Sequence, residues 1–129
     1  MVSKLLALMV RTLGLNHINL NVTDLERSER FYLAAFGLEV RFREGDDMVF
    51  VGSPGAHDLI TLCQAKPGEA IGNGGVSHFG FRAKPTEFDA MVEQVERAGG
   101  KLLRRGHHSQ NEPFAYFTDP DGYTIELGA

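Results

Sequence analysis

Five histidines in a chain of 129 residues with no tryptophan raise the first chemical question, because several stand where a side chain could act. His17 and His78 close the segments Gly14-Leu15-Asn16-His17 and Gly75-Val76-Ser77-His78, and alternating apolar residues follow each. In the first run Ile18, Leu20 and Val22 share one strand face while His17, Asn19 and Asn21 share the other. In the second, Phe79, Phe81 and Ala83 oppose His78, Gly80 and Arg82. Near the end of the chain Tyr123, Ile125 and Leu127 oppose Thr124 and Glu126. His17, His78 and Glu126 therefore lie on the polar faces of strands whose other faces read as core. Two histidines and a carboxylate converging from three strands make a facial donor set for a divalent metal with open positions. If the strands belong to one curved sheet, those faces line a shared concave cavity.

The elements that must position these residues come in two copies. Gly14 to Val22 superposes on Gly75 to Ala83 at a constant offset, glycine on glycine and histidine on histidine. A helical pattern follows each copy. The first covers Asp24 to Phe36, with Thr23 and Glu26 spaced as a capping box. The second covers about Thr86 to Ala98, with Phe88, Met91, Val92 and Val95 on one side. Gly37 and Gly99-Gly100 stand where helices stop. Strand patterns then cover Leu38–Arg43, Met48–Val51 and Asp58–Gln64 in the first half. In the second they cover Lys101–Arg105, Phe114–Thr118 and Tyr123–Leu127. Asp119-Pro120-Asp121-Gly122 is a turn. The plan is βαβββ twice: module one over residues 14–65, a Gly-rich linker over 66–75, module two over 76–129, with residues 1–13 as an N-terminal extension.

Composition narrows the function. A net charge of −4 offers no basic stripe for nucleic acid. The longest apolar run, Leu5 to Val10, is far short of the ~20 residues of a membrane span, and no small-residue cleavage pattern follows it. A single cysteine, Cys63, excludes an internal disulfide and fits a reducing, cytoplasmic setting.

The doubled βαβββ plan resembles the vicinal-oxygen-chelate superfamily of glyoxalases, bleomycin resistance proteins and dioxygenases. The resemblance rests on Leu15-Asn16-His17, Asp24-Leu25-Glu26 through Phe31-Tyr32, Phe36-Gly37-Leu38, and Asp119-Pro120-Asp121-Gly122-Tyr123 leading to Glu126. It implies an α+β fold in which tandem modules form a curved mixed-sheet cup. It also implies metal ligands on the first and last strand of each module, here His17, Thr61, His78 and Glu126. Glyoxalase I places a carboxylate at the second of these positions, and Thr61 departs from that.

Further residues match the type I extradiol dioxygenases within that superfamily. Ala56-His57-Asp58 resembles the setting of their catalytic histidine, Tyr116 has the spacing of their catalytic tyrosine, and His107 falls where they keep another active-site histidine. The resemblance thus implies an Fe(II) enzyme that cleaves a catecholic ring. His17, His78 and Glu126 would hold the metal, His57 would transfer protons, Tyr116 would bond the substrate oxygen and His107 would hold the ring. Mn(II), Ni(II) or Zn(II) are the other metals such a site accepts. The alternatives are a glyoxalase-like or fosfomycin-type metal-dependent lyase or transferase, with Arg82 and Tyr116 toward a phosphonate, or a drug-binding resistance protein. In each case the partner is a small molecule, chelating a metal in the enzyme readings. Short two-module members imply a homodimer, in which His17 shares a metal with His78 and Glu126 of a second chain. His108, Arg104 and Arg105 read as solvated residues, and Cys63 as a small buried one.

Overall fold

The computed structural model describes residues 9–129. Most of the extension expected over residues 1–13 lies outside them. Module one runs β1 (Ile18–Val22), α1 (Leu25–Phe36), β2 (Glu39–Glu44), β3 (Met48–Gly52) and β4 (Ile60–Gln64). Module two runs β5 (Phe79–Arg82), a 3₁₀ turn (Pro85–Glu87), α2 (Phe88–Arg97), β6 (Lys101–His107), β7 (Pro113–Thr118) and β8 (Thr124–Gly128). The α+β plan of tandem βαβββ modules is therefore present in full.

Local sequence explains most boundaries. α1 ends at Gly37, whose φ of 66° is the left-handed conformation that a side chain disfavours. Its start differs from the expected capping box. Asp24 is the N-cap, accepting a hydrogen bond from the Arg27 amide at 3.1 Å. The Thr23 amide instead donates to the Asp121 carboxylate at 3.2 and 3.3 Å, so a group from the other module has taken its place. Pro85 opens a 3₁₀ turn, which delays α2 to Phe88.

The strands form two sheets, ordered β1-β4-β3-β2 and β5-β8-β7-β6. In each, the first strand pairs in parallel with the last and the others pair antiparallel. The single curved sheet considered from the sequence is thus replaced by two. β1 and β5 are edge strands, and no ladder joins them. Each helix covers one face of its own sheet and the two helices pack on each other. Phe36 of α1 stacks on Phe81 of β5 with centroids 4.4 Å apart, and one apolar cluster spans both modules. Each sheet's other face is the one that carries the polar residues.

A polar clasp fixes the junction. The Tyr32 hydroxyl donates to Asp119 Oδ2 at 2.6 Å, and the amides of Asp121 and Tyr123 donate to Oδ1, both at 2.9 Å. Asp121 accepts from the Arg27 guanidinium at 3.0 Å and from the Ser28 hydroxyl at 3.3 Å. The Tyr123 hydroxyl returns to the carbonyl of Asn21 at 2.7 Å. The segment expected to be a linker is tied to module two, since Asn73 Oδ1 accepts from the Thr124 amide at 2.6 Å.

Burial raises the pKa of the Asp119 carboxyl, although Tyr32 opposes that shift by donating to it. A raised carboxyl pKa favours folding fully in acid and loses that contribution as pH rises through the folded value. Tyr32→Phe removes a donor the charged form needs, leaving a buried oxygen unpaired. It should cost about 1–3 kcal/mol. The loss should be larger near pH ~7 than near pH ~4, where the carboxyl is increasingly protonated and needs the donor less. Urea unfolding of both proteins at the two pH values measures this; an equal loss at both would remove Asp119 as the cause.

Candidate metal and anion site

The open face of the second sheet gathers the densest chemistry. His78 immediately precedes β5, and its Nε2 lies 3.1 Å from Glu126 Oε1. The ring is held from two sides. Ser77 Oγ hydrogen-bonds Nδ1 at 3.0 Å, and the Tyr116 ring meets it edge-on at 5.0 Å. Anchoring Nδ1 turns Nε2 toward the carboxylate, as the outer partner of a ligand histidine does. Glu126 lies in β8 opposite Gly80 of β5 and Tyr116 of β7. A Cβ on Gly80 would stand 2.6 Å from the Glu126 carbonyl oxygen, so a side chain there would push the two strands apart and spoil the His78–Glu126 spacing.

Two residues read as solvated belong to this face. His108 Nε2 lies 3.1 Å from Glu126 Oε2, and its ring packs on Phe114 at 4.6 Å. The Arg104 guanidinium sits 5.0 Å from the Tyr116 ring centroid and 5.5 Å from that of Phe114. The strand register explains its place, because Arg104 pairs with Tyr116, which pairs with Glu126.

His107 does not join them. β6 continues through His107, and alternation puts it with Arg105, whose guanidinium lies over Phe88 of α2. It lines a cleft of about 510 Å³ with Pro85, Phe88, Asp89 and Arg105, on the helix side of the sheet. The turn that follows, where the His108 amide donates to the Glu112 carbonyl at 2.8 Å, brings His108 back over Phe114.

His17 stands on the first sheet, its Nδ1 hydrogen-bonded to Asn16 Oδ1 at 2.6 Å. Asn16 thus does for His17 what Ser77 does for His78. His57 lies in the loop before β4, outside the strand whose alternation was used to orient it. It shares a cavity of about 320 Å³ with His17, Ile18, Phe79 and Phe81 at the seam between the sheets. Beside His17 the polar face continues with Asn19, whose Oδ1 accepts from the Cys63 thiol at 3.0 Å. Burial pushes that thiol's pKa up, which disfavours the thiolate of a nucleophile.

The donor chemistry suits a divalent ion in part. Two ligands about 2.1 Å from one ion at right angles stand about 3 Å apart, which is the His78–Glu126 separation. Among the described residues no three His, Cys, Asp or Glu side chains surround a common point. One chain thus brings together His78 and Glu126, with His108 on the second carboxylate oxygen, and leaves His17 on the other sheet.

A family model described as the Glyoxalase/Bleomycin resistance protein/Dioxygenase superfamily matches residues 14–127. The chain belongs to that superfamily. The metallothiol transferase FosB of Lysinibacillus sphaericus is 27% identical over 88% of this chain and 80% of its own. A trivalent organoarsenical cleaving enzyme of a Bacillus species is 35% identical over 86% of this chain and 70% of its own. Among solved structures, a mutant of the fosfomycin resistance protein FosX of Listeria monocytogenes superposes with a TM-score of 0.74 at 25% identity, covering 92% of this chain and 91% of that one. That protein is complexed with Mn(II) and a dihydroxypropylphosphonic acid. These relatives are named for thiol transfer, fosfomycin resistance and organoarsenical cleavage, and none for ring cleavage. The superfamily expectation therefore stands, while the extradiol and Fe(II) reading finds no support among them. No helix of the described residues is long and apolar enough to cross a membrane.

The geometry separates the adjacent histidines by an observable that needs no metal. Replacing Glu126 by Gln removes the charge that His78 and His108 both face, so ring resonances of both should move in histidine-selective NMR spectra at one fixed pH. Those of His107, on the far side of the sheet, should stay in place. A shift at His107 with none at His108 would reverse the assignment.

Proposed function

We propose that this chain is a divalent-metal-dependent enzyme of the fosfomycin-type lyase and transferase class. It adds a thiol or water to a small anionic electrophile that bears two neighbouring oxygens. The observation that carries this reading is the His78–Glu126 pair, 3.1 Å apart, beside an arginine whose charge lies over the Tyr116 ring. Relatives named for fosfomycin resistance and metallothiol transfer support the class.

His78 and Glu126 would hold the ion, and His17 would complete the set from a second chain, since one chain keeps it beside the other sheet. The ion would supply Lewis acidity to a substrate oxygen, with Mn(II) the metal of the FosX complex. Arg104 attracts the anionic group of the substrate, and the Tyr116 hydroxyl donates to one of its oxygens. Ser77 and Asn16 keep the two imidazoles turned so that Nε2 is the free nitrogen. His108 orients the carboxylate through its second oxygen. His57, in the cavity with His17, moves the proton of the incoming nucleophile.

Mn(II) binding read by electron paramagnetic resonance tests the shared site. Wild type should bind one ion per chain, and His17→Ala and Glu126→Ala homodimers should lose most of that binding. Mixing the two variants by denaturation and refolding should restore about a quarter of the sites, because half of randomly assorted dimers are mixed and each holds one intact site. No recovery together with a monomeric mass would overturn the shared site.

Phosphorus NMR with fosfomycin and a thiol, run beside oxygen uptake with a catechol panel, separates the reactions. Loss of the epoxide without oxygen consumption is the expected result. Oxygen uptake with ring opening would return the reading to a dioxygenase. His57→Gln should lower turnover about 10²–10⁴-fold while Mn(II) binding persists.

A further inference from the structure

Matching the two sheets rung by rung shows that their open faces have diverged in what they can hold. In module two, Arg104 pairs with Tyr116 and Tyr116 pairs with Glu126. The same rungs of module one are Phe42, Phe50 and Thr61. Where Arg104 lies over a tyrosine, Phe42 stacks on Phe50 with centroids 4.1 Å apart and planes 19° from parallel. The His17 ring meets Phe50 edge-on at 6.4 Å, much as His78 meets Tyr116. Phe42 remains 48% exposed although large and apolar, and the Thr61 hydroxyl is buried with no hydrogen-bond partner. An open, stacked aromatic pair therefore stands next to one proposed ligand histidine, and a cation stands next to the other.

We propose that this site takes an aryl-bearing oxyanion, such as an arylphosphonate or an aromatic carboxylate, rather than a short aliphatic one. This deepens the preceding reading and rests on it for bringing the two faces around one ion. The Phe42–Phe50 pair is the wall for the flat apolar group, and Arg104 with Tyr116 receives the anionic end. Each half suits one part of such a molecule. An exposed ring pair offers a new aromatic both apolar burial and offset stacking, and the arginine offers charge on a face whose own carboxylate already has two histidines. A purely aliphatic anion would leave Phe42 facing water in the bound state.

Calorimetric titration of the Mn(II)-loaded protein with phenylphosphonate and with methylphosphonate tests this. Wild type should bind the phenyl compound about ten-fold more tightly. Phe42→Ala should weaken phenylphosphonate by about three- to ten-fold while methylphosphonate changes by less than about two-fold. Phe42→Leu keeps an apolar side chain without the flat face and should lose part of the preference, which guards against a folding defect. Thermal unfolding of each variant checks that the edge strand is intact. Arg104→Gln should weaken both anions alike. Equal affinities in wild type, or equal losses in Phe42→Ala, would overturn the proposal. So would dissociation of Phe42→Ala into monomers, which would make the pair an interface to a second copy. Absence of Mn(II) binding would instead strike the metal reading. The comparison is therefore repeated on metal-free protein, where the Phe42-dependent preference should persist at weaker affinity and its absence would overturn the aryl wall.

Discussion

The turn Asp119-Pro120-Asp121-Gly122 holds the molecule together where its two halves meet. One carboxylate takes the Tyr32 hydroxyl and two amides of its own turn, and the other takes the start of α1. Asp119 accepts two backbone amides inside the turn, and Asp121 accepts the Thr23 amide just ahead of the α1 N-cap. Module two thereby caps the entry to the helix of module one. This fixes α1 against α2 and lets Phe36 stack on Phe81 beneath the seam. The same turn leads directly into β8, so the strand that presents Glu126 is anchored at its first residues. A displacement of that turn would move the carboxylate and loosen the module contact together.

That junction also dictates where the site can be. With the helices packed on one another, both sheets turn their polar faces away from the shared core, and β1 and β5 remain edges without a ladder between them. His78, immediately ahead of β5, and Glu126 of the neighbouring β8 meet at 3.1 Å. His17 belongs to the other sheet and has a local partner only. In the proposed function this placement of faces is the reason a second chain would be needed to bring His17 to the pair.

Much of this was legible in the sequence for a physical reason. Duplication repeats both the glycine that enters the strand and the histidine that follows, and period-two alternation assigns each side chain to a face. His17, His78 and Glu126 therefore stand on the polar faces that alternation predicts, whereas Tyr116 was placed by its spacing ahead of Glu126 and pairs with it. The misplacements share another cause, since alternation is lost wherever the strand boundary or a bulge is unknown. β6 extends through His107 and carries an irregularity between Leu102 and Arg104, so spacing alone did not show that His107 turns to the helix side while His108 and Arg104 stand beside Glu126 and Tyr116. His57 was oriented by the parity of a strand that starts only at Ile60. The Thr23 capping box failed because a carboxylate distant in sequence reached the Thr23 amide first, which no local pattern records.

The two modules began alike and differ where chemistry would require it. Thr61 and Glu126 occupy the same rung, yet Thr61 is only 1% exposed, packed in a face built on Phe42 and Phe50. A carboxylate in that setting would be desolvated with no cation beside it, a cost of several kcal/mol. Glu126 is more open, its side chain 20% exposed, and nitrogens of His78 and His108 stand 3.1 Å from its two oxygens. In the proposed function, the Phe42–Phe50 face would take flat apolar groups and the Glu126 face the metal and the anion. Neither open face of one chain holds His17, His78 and Glu126 together, so the proposed donor set would need unlike faces to meet rather than either copy of the repeat.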